Sequence, residues 1–228
     1  PLFISGTSKP IISPPAVTFH QKGGQMVLFG TGKYLETADT TNTDTQTMYG
    51  IWDYNTSGTL PADSLVQQIT SMTTGSNHRT TTQNLVNYSA TVKGWYMDLP
   101  ISGERLTAIP EIQDGLFRFT TIVPSASPCD FGGRGFLNIV NFSTGGMLTR
   151  PTFDTNGNRV LSLDDGYSSG IEIGFAMGGV TSIRNSSIGA TSDFAVYSRA
   201  DGTANNPPVS PGAQGKRGRI TWREFSQE

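Results

Sequence analysis

The segment Tyr49-Gly-Ile-Trp-Asp-Tyr-Asn-Thr-Ser-Gly58-Thr-Leu60 joins an aromatic, apolar run to a small polar turn that ends in glycine. Aromatic and β-branched residues favour strands, whereas Ser, Asn and Gly favour tight turns. The same order recurs in three later segments, at 95–106, 137–148 and 194–203. The turn glycines are Gly58, Gly103, Gly145 and Gly202.

A spacing of roughly 40–45 residues with strands throughout is typical of propeller blades. The alternative is that Ser/Thr-Gly turns recur by chance in a glycine-rich β chain. We expect an all-β fold with antiparallel four-stranded blades and at most one short helix. The expected repeat units are 10–60, 79–106, 107–150 and 166–225, within a single domain that spans 1–228.

The composition excludes several classes of protein. The chain has 228 residues, 16 Lys+Arg against 18 Asp+Glu, 27 Gly and one Cys. It lacks the basic excess of a nucleic-acid binder, and no apolar run is long enough to span a bilayer. One cysteine cannot form a disulfide framework within the chain.

Local sequence patterns predict the positions of individual strands, a hairpin and one helix. Strands are expected at 25–30 and 47–53, each flanked by turn residues. The pair Asp114-Gly115 predicts a hairpin, because such dipeptides favour two-residue turns. The helix that we expect is 62–69, where Leu65, Val66 and Ile69 share one face.

Two short motifs suggest enzyme sites but lack the required context. Ser168 lies in Gly-Tyr-Ser-Ser-Gly, yet both histidines, His20 and His78, precede it, whereas the base of a nucleophile elbow follows its serine. Gly30-Thr31-Gly32-Lys33 does not have the spacing of a phosphate loop. We interpret both as turns between strands and predict no catalytic residue.

The segment 154–165 resembles a calcium loop. Asp154, Asn156 and Asn158 stand at positions one, three and five, and Asp165 stands at position twelve. Position six is Arg159 instead of glycine, and two of the early ligands are neutral. The alternative is a turn in which Asp and Asn bond to their own backbone. The weaker segment 39–44 is expected to be a solvated loop.

The remaining expectations concern the two ends of the chain and its cysteine. The chain begins at Pro1 without a recognisable leader, so either a leader has been removed or the chain is a piece of a longer protein. Cys129 is expected to be either a buried apolar residue or half of a disulfide to a missing segment. Residues 220–225 alternate in a way that predicts a terminal strand.

Several segments together resemble the C-terminal β-propeller domain of the PilC/PilY-type proteins of type IV pili. They occur in family order over nearly the whole chain. The matching residues are 27–36, 46–53, Leu65-Val-Gln-Gln68, Gly94-Trp-Tyr-Met-Asp-Leu-Pro100, Gly103-Glu-Arg105, Pro128-Cys129, Gly132-Gly133 and 218–225.

The resemblance implies a modified seven-bladed propeller, of which this chain is the C-terminal part, preceded by an N-terminal domain. It implies an exported protein at the pilus tip or the outer surface of a Gram-negative bacterium. Such proteins prime assembly with minor pilins, oppose retraction and adhere to host cells or abiotic surfaces. The family's D-x-D-x-D-x-x-x-D calcium loop and its Arg-Gly-Asp are absent. The calcium ligands therefore cannot be carried over by position.

Three functional hypotheses follow. The first is a non-enzymatic adhesion and pilus assembly module, whose partners are minor pilins, the N-terminal part of the same protein and a surface receptor. The second is a quinone-dependent dehydrogenase-like propeller, for which the adjacent cysteines of many such enzymes are absent. The third is a calcium-binding structural propeller without an adhesive role.

Overall fold

A computed structural model describes residues 1–54, 57–125, 127, 133–175, 181–183, 192–199 and 203–211. Fourteen strands account for the regular structure in these ranges, together with three 3-10 helices at Thr37–Thr40, Ala62–Ser64 and Leu163–Asp165. No α-helix occurs among the described residues, and none of their helical turns is long and apolar enough to cross a bilayer. The fold class is all-β, as expected.

Ten strands form one continuous hydrogen-bonded sheet in the order β1-β2-β3-β6-β4-β5-β10-β9-β8-β7. Their bounds are β1 Ala16–Phe19, β2 Gln25–Gly30, β3 Thr47–Asp53, β4 Leu65–Met72, β5 His78–Thr81, β6 Gly94–Asp98, β7 Glu111–Gln113, β8 Leu116–Pro124, β9 Gly133–Asn141 and β10 Gly170–Glu172. A smaller sheet contains β11 Thr181–Ile183, β12 Asp193–Ser198, β13 Ala204–Asn205 and β14 Pro208–Val209.

The large sheet consists of two antiparallel four-stranded groups. We call β1-β2-β3-β6 the first blade and β7-β8-β9-β10 the second blade. Strand β4 joins them, because Leu65–Ile69 pairs in parallel with β6 and Thr70–Met72 pairs with β5, which in turn pairs with β10. The central strands β3 and β8 are buried on both faces over most of their length.

The hydrophobic core lies in layers between these sheets. The inner layer is shared by the two blades, with Trp95 and Met97 of the first packed with Phe117 and Phe119 of the second. A second layer separates the second blade from the small sheet. A third layer covers the other face of the first blade and contains Tyr49. Sheets stacked through apolar faces are the arrangement that a propeller requires.

Most of the local predictions are confirmed. Strands β2 and β3 have the expected bounds, and Asp114 and Gly115 connect β7 to β8 with φ of 52° and 81°. The helix predicted at 62–69 is wrong. A single 3-10 turn at Ala62–Ser64 leads into β4, because Leu65–Ile69 completes a parallel ladder beside β6.

The repeated strand–glycine–strand pattern is confirmed only in its first half. Gly58, Gly103 and Gly145 have the positive φ expected of turn residues. The short segments directly after them, up to residues 60, 106 and 148, are not strands. Gly202, Cys129 and 220–225 lie outside the described residues, and the proposed repeat boundaries stay a prediction.

Candidate functional site

The loop 154–165 is closed by hydrogen bonds from its own backbone to its own carboxylates. Asp154 Oδ1 accepts the N–H of Gly157 at 2.7 Å, and its Oδ2 accepts the N–H of Arg159 at 2.7 Å. Asp165 accepts the N–H of Thr155 at 3.0 Å and that of Ser162 at 2.8 Å. The two aspartates therefore fasten the beginning of the loop to its end.

The two asparagines fold the tip of this loop in the same way. Asn156 Oδ1 accepts the N–H of Asn158 at 3.0 Å, and Asn158 Oδ1 accepts the N–H of Val160 at 2.7 Å. Each bond spans two residues, which is the pattern of an Asx turn. The four candidate calcium ligands thus bond to the backbone of their own loop, which is the arrangement expected of the alternative, an Asp- and Asn-rich turn.

The backbone of the loop is nevertheless compatible with calcium. Arg159 has φ of 64°, so the sixth position takes the left-handed conformation for which calcium loops use glycine. Most of the carboxylate and amide oxygens accept one N–H, which leaves a further lone pair for a cation. The described residues contain no cluster of three or more His, Cys, Asp or Glu side chains suited to a metal. Calcium binding by this loop stays a prediction.

Ser168 is buried in an irregular segment, not at a nucleophile elbow. Its hydroxyl has no hydrogen-bond partner among the described residues, so no histidine activates it there. The segment follows the 3-10 helix Leu163–Asp165 and leads directly into β10, whereas a nucleophile elbow joins a strand to a helix. The motif is not the turn between two strands that was expected, because an irregular segment with a bend at Ser169 joins the 3-10 helix to β10.

A buried arginine organises the loop after β2. The guanidinium of Arg105 donates to the backbone carbonyls of Gly103, Lys33, Asp39 and Asn42 at 2.7–2.9 Å. Burial lowers the pKa of Arg105, and the charge of Asp39 opposes that shift. Sequence reasoning missed this contact because the donor and the loop are separated by more than sixty residues.

The segment 39–44 is a solvated loop only over 41–44, which are exposed as expected. Asp39 is buried, and it accepts the N–H groups of Leu35 at 2.8 Å and Glu36 at 3.1 Å. These backbone hydrogen bonds, led by that of Leu35, lower the pKa of the Asp39 carboxyl. The preceding residues 34–36 lead into the 3-10 helix Thr37–Thr40, with Glu36 at its N-cap.

A buried ion pair lies beside the second blade. Arg79 Nη1 donates to Glu104 Oε1 at 2.8 Å, and the two side chains are 1% and 0% exposed. The guanidinium carbon of Arg79 also lies 3.7 Å from the ring centre of Phe136, and Thr121 donates to the same glutamate oxygen. Both charges are enclosed by protein, so the pair is a packing element and not a binding surface.

The stacked antiparallel sheets define the fold of the described residues as that of a β-propeller module. The PilY1 beta-propeller domain family matches residues 2–90. PilY1, a type IV pilus biogenesis factor of Pseudomonas aeruginosa PAO1, is 31% identical over 195 residues, which cover 72% of this chain and 16% of the relative. A PilY1 homologue of Xylella fastidiosa is 29% identical over 99% of this chain and 19% of its own length.

The solved structure of the P. aeruginosa PilY1 C-terminal domain superposes on this chain with a TM-score of 0.74 at 25% identity. The match covers 93% of this chain and 48% of that domain. The chain belongs to the family of PilC/PilY-type C-terminal propeller domains. It spans less than a fifth of the curated relatives, at 16% and 19% of their lengths, and about half of the solved domain.

Proposed function

We propose that this chain is a non-enzymatic part of a type IV pilus assembly and tip protein. The observation that carries the proposal is the structural match over 93% of the chain to the C-terminal domain of PilY1. The relatives are named pilus biogenesis factors, and their names assign no enzyme activity. We also propose that the protein is exported and lies at the pilus tip or the outer surface of a Gram-negative cell, and the pilus role in the relatives' names supports the pilus context.

The proposed mechanism is presentation of loops by a rigid scaffold. The two blades share one apolar layer and are tied together by β4, so they move as a unit. Loops that connect the strands are therefore held in fixed positions, which lowers the entropic cost of binding a partner. The proposed partners are minor pilins, the remainder of the same protein and a receptor on a host cell or an abiotic surface.

A strain whose protein lacks the segment equivalent to this chain tests the proposal. We expect few surface pili, because priming with minor pilins is lost, and partial recovery of pili when retraction is also disabled. Pull-down of purified minor pilins by the intact protein, but not by the shortened one, is the matched biochemical result. Normal piliation together with equal pilin capture by both proteins would overturn the proposal.

The dehydrogenase alternative has its own test. A redox-dye assay of the protein with added quinone and calcium should give no turnover above the protein-free background. Turnover that depends on both additions would replace the scaffold proposal by an enzymatic one. The third alternative, a structural calcium-binding propeller, depends on calcium binding by the loop 154–165.

A further inference from the structure

An aromatic groove beside the end of β3 is independent of the candidate sites described above. Tyr54 stacks on Trp52 with ring centres 5.3 Å apart and an interplanar angle of 9°. Trp52 is buried, whereas 42% of Tyr54 remains exposed. The two rings border a hollow of about 560 Å³, which lies in the size range of small-molecule sites.

The turn before β2 holds this pair of rings in place. Trp52 Nε1 donates to the carbonyl of Gly23 at 2.8 Å. At Gly24, where φ is 73°, a Cβ atom would lie 2.8 Å from Tyr54 Cβ and 2.3 Å from the carbonyl oxygen of Asp53. Because Gly23 and Gly24 have no side chains, Tyr54 can pack against this turn. The Tyr54 ring is therefore held in place before a ligand binds.

A lysine without a carboxylate partner lies in the same groove. Lys93 Nζ is 4.7 Å from the ring centre of Trp52, which is within the range of a cation–π contact. Its backbone is anchored on both sides, since its N–H donates to Ser64 and its carbonyl accepts from Trp52. No described residue forms an ion pair or a hydrogen bond with this ammonium group. Its three donors are thus available to an anion.

The polar rim of the groove carries hydroxyl groups. Ser57 and Ser89 line the hollow beside the aromatic pair, and Thr91 lines an adjoining hollow that shares Lys93. Ser57, Ser89 and Thr91 are exposed. Among the described residues, Lys93 is the charged group that lines the hollow beside Tyr54, and the carboxylate of Asp63 lines the adjoining one.

We propose that this groove binds an acidic saccharide, with an apolar sugar face on Tyr54 and the sugar carboxylate on Lys93. The combination of groups favours this class over others. A quaternary ammonium ligand would be repelled by Lys93, and a purely apolar ligand would leave the ammonium and the hydroxyls without partners. A polyphosphate or nucleic acid would require more than one free cation. A sugar acid matches the ring, the hydroxyls and the single charge together.

This inference supplies a ligand class for the proposed adhesive role, but the groove is tested without reference to pili. The probes are 3′-sialyllactose, a glucuronic-acid oligosaccharide and neutral lactose, titrated into the protein and followed by calorimetry or ligand-detected NMR. Binding of either acidic probe, with lactose at least about tenfold weaker, supports the proposal, because a charge-assisted hydrogen bond is lost with the neutral sugar. Preference between the acidic probes distinguishes a sialic acid from a uronic acid.

Matched variants test whether the acidic saccharide binds in this groove. We expect Tyr54→Ala and Lys93→Met each to weaken the acidic probe by roughly tenfold, as for truncated aromatic or charged anchors, and Tyr54→Phe to retain binding because the ring remains. Tyr167→Ala is the control for an exposed tyrosine. Lys33→Met is the control for a lost charge, because Lys33 follows the opposite end of β2 from the groove. Unchanged melting temperatures show that the variants fold.

Three outcomes would overturn the proposal. They are no binding of either acidic saccharide, equal binding of lactose, and equal weakening by the control variants. An acidic peptide that binds as tightly as the saccharides, and at the same residues, would replace it by a peptide site. Pull-down of minor pilins by Lys93→Met separates the saccharide proposal from the pilus assembly proposal. If the variant loses saccharide binding but still captures pilins, the change concerns the groove and not pilus assembly.

Discussion

Two loops of similar length, 31–42 and 154–165, differ in the origin of the hydrogen bonds that hold them. The first depends on Arg105, whose guanidinium reaches the carbonyls of Lys33, Asp39 and Asn42 from a distant part of the chain. The second is closed by its own Asp154 and Asp165. The first loop thus adds a tertiary anchor to the local hydrogen bonds of Asp39, whereas the hydrogen bonds that close the second loop come from its own residues.

The largest expected effect comes from removing the distant anchor. Arg105→Ala should lower the free energy of unfolding by about 3–5 kcal/mol, because hydrogen bonds from a buried charge are lost and buried carbonyls are left without partners. Chemical denaturation measures the loss, and hydrogen exchange should show faster exchange of the amides of 35–42. Unchanged exchange in that loop would contradict the comparison.

Arg105→Lys sharpens the same test. Lysine keeps the positive charge but lacks the planar fork that reaches several carbonyls at once, so most of the loss should remain. The amides of 155–162 are an internal control in both variants, since their partners lie within their own loop. Stability close to that of the wild type would show that charge, and not geometry, orders loop 31–42.

The contrast between the loops also explains which features the sequence predicts. The Asp and Asn spacing at 154–165 contains its own hydrogen-bond pattern, so the turn was foreseen as the alternative to a calcium site. Strands β2 and β3 and the Asp114-Gly115 hairpin are likewise local patterns. Arg105 gave no local signal, because its acceptors are backbone carbonyls, which every residue possesses.

The helix predicted at 62–69 failed for the same reason. Its apolar residues Leu65, Val66 and Ile69 suit a helix face, but pairing with β6 offers a backbone hydrogen-bond ladder that the local pattern does not reveal. The groove around Tyr54 was also missed. Its parts come from 52–54, 57–64, the turn Gly23-Gly24 and 89–93, and only the folded blade brings them together.

The next effect in size concerns the locally closed loop. Asp165→Ala should lower the free energy of unfolding by about 1–3 kcal/mol, because the N–H groups of Thr155 and Ser162 lose their acceptor. Hydrogen exchange should accelerate within 155–162 and stay constant within 35–42. Asn158→Ala, which removes one Asx turn at the exposed tip, is the milder control and should cost about 0.5–1 kcal/mol. Faster exchange in both loops would show that they are coupled.

Calcium titration decides whether the locally closed loop is also a metal site. If it binds the ion, the two neutral ligands should place the affinity in the weak, millimolar range, and 10 mM calcium should add about 1 kcal/mol of stability. Asp154→Ala should abolish this gain, whereas Asp39→Asn, in the other loop, should retain it. A thermal melt with and without calcium measures both. An equal response of wild type and Asp154→Ala would remove loop 154–165 from consideration and with it the structural calcium alternative.

The smallest effect is the pH dependence of loop 31–42. The pKa of Asp39 is lowered from its ordinary value of 3.8, chiefly by the N–H of Leu35, so the carboxylate stabilises the folded state fully above that value. The contribution disappears as the pH falls through the folded pKa, because the protonated carboxyl is a weaker acceptor. The protection of the amides of 35–42, measured as exchange relative to the intrinsic rate at each pH, should therefore fall below about pH 4. Asp39→Asn should flatten this dependence, whereas Arg105→Ala should leave the loop open at every pH. A steep dependence that survives in Asp39→Asn would assign the titration to another group and leave Arg105 as the sole identified anchor of the loop.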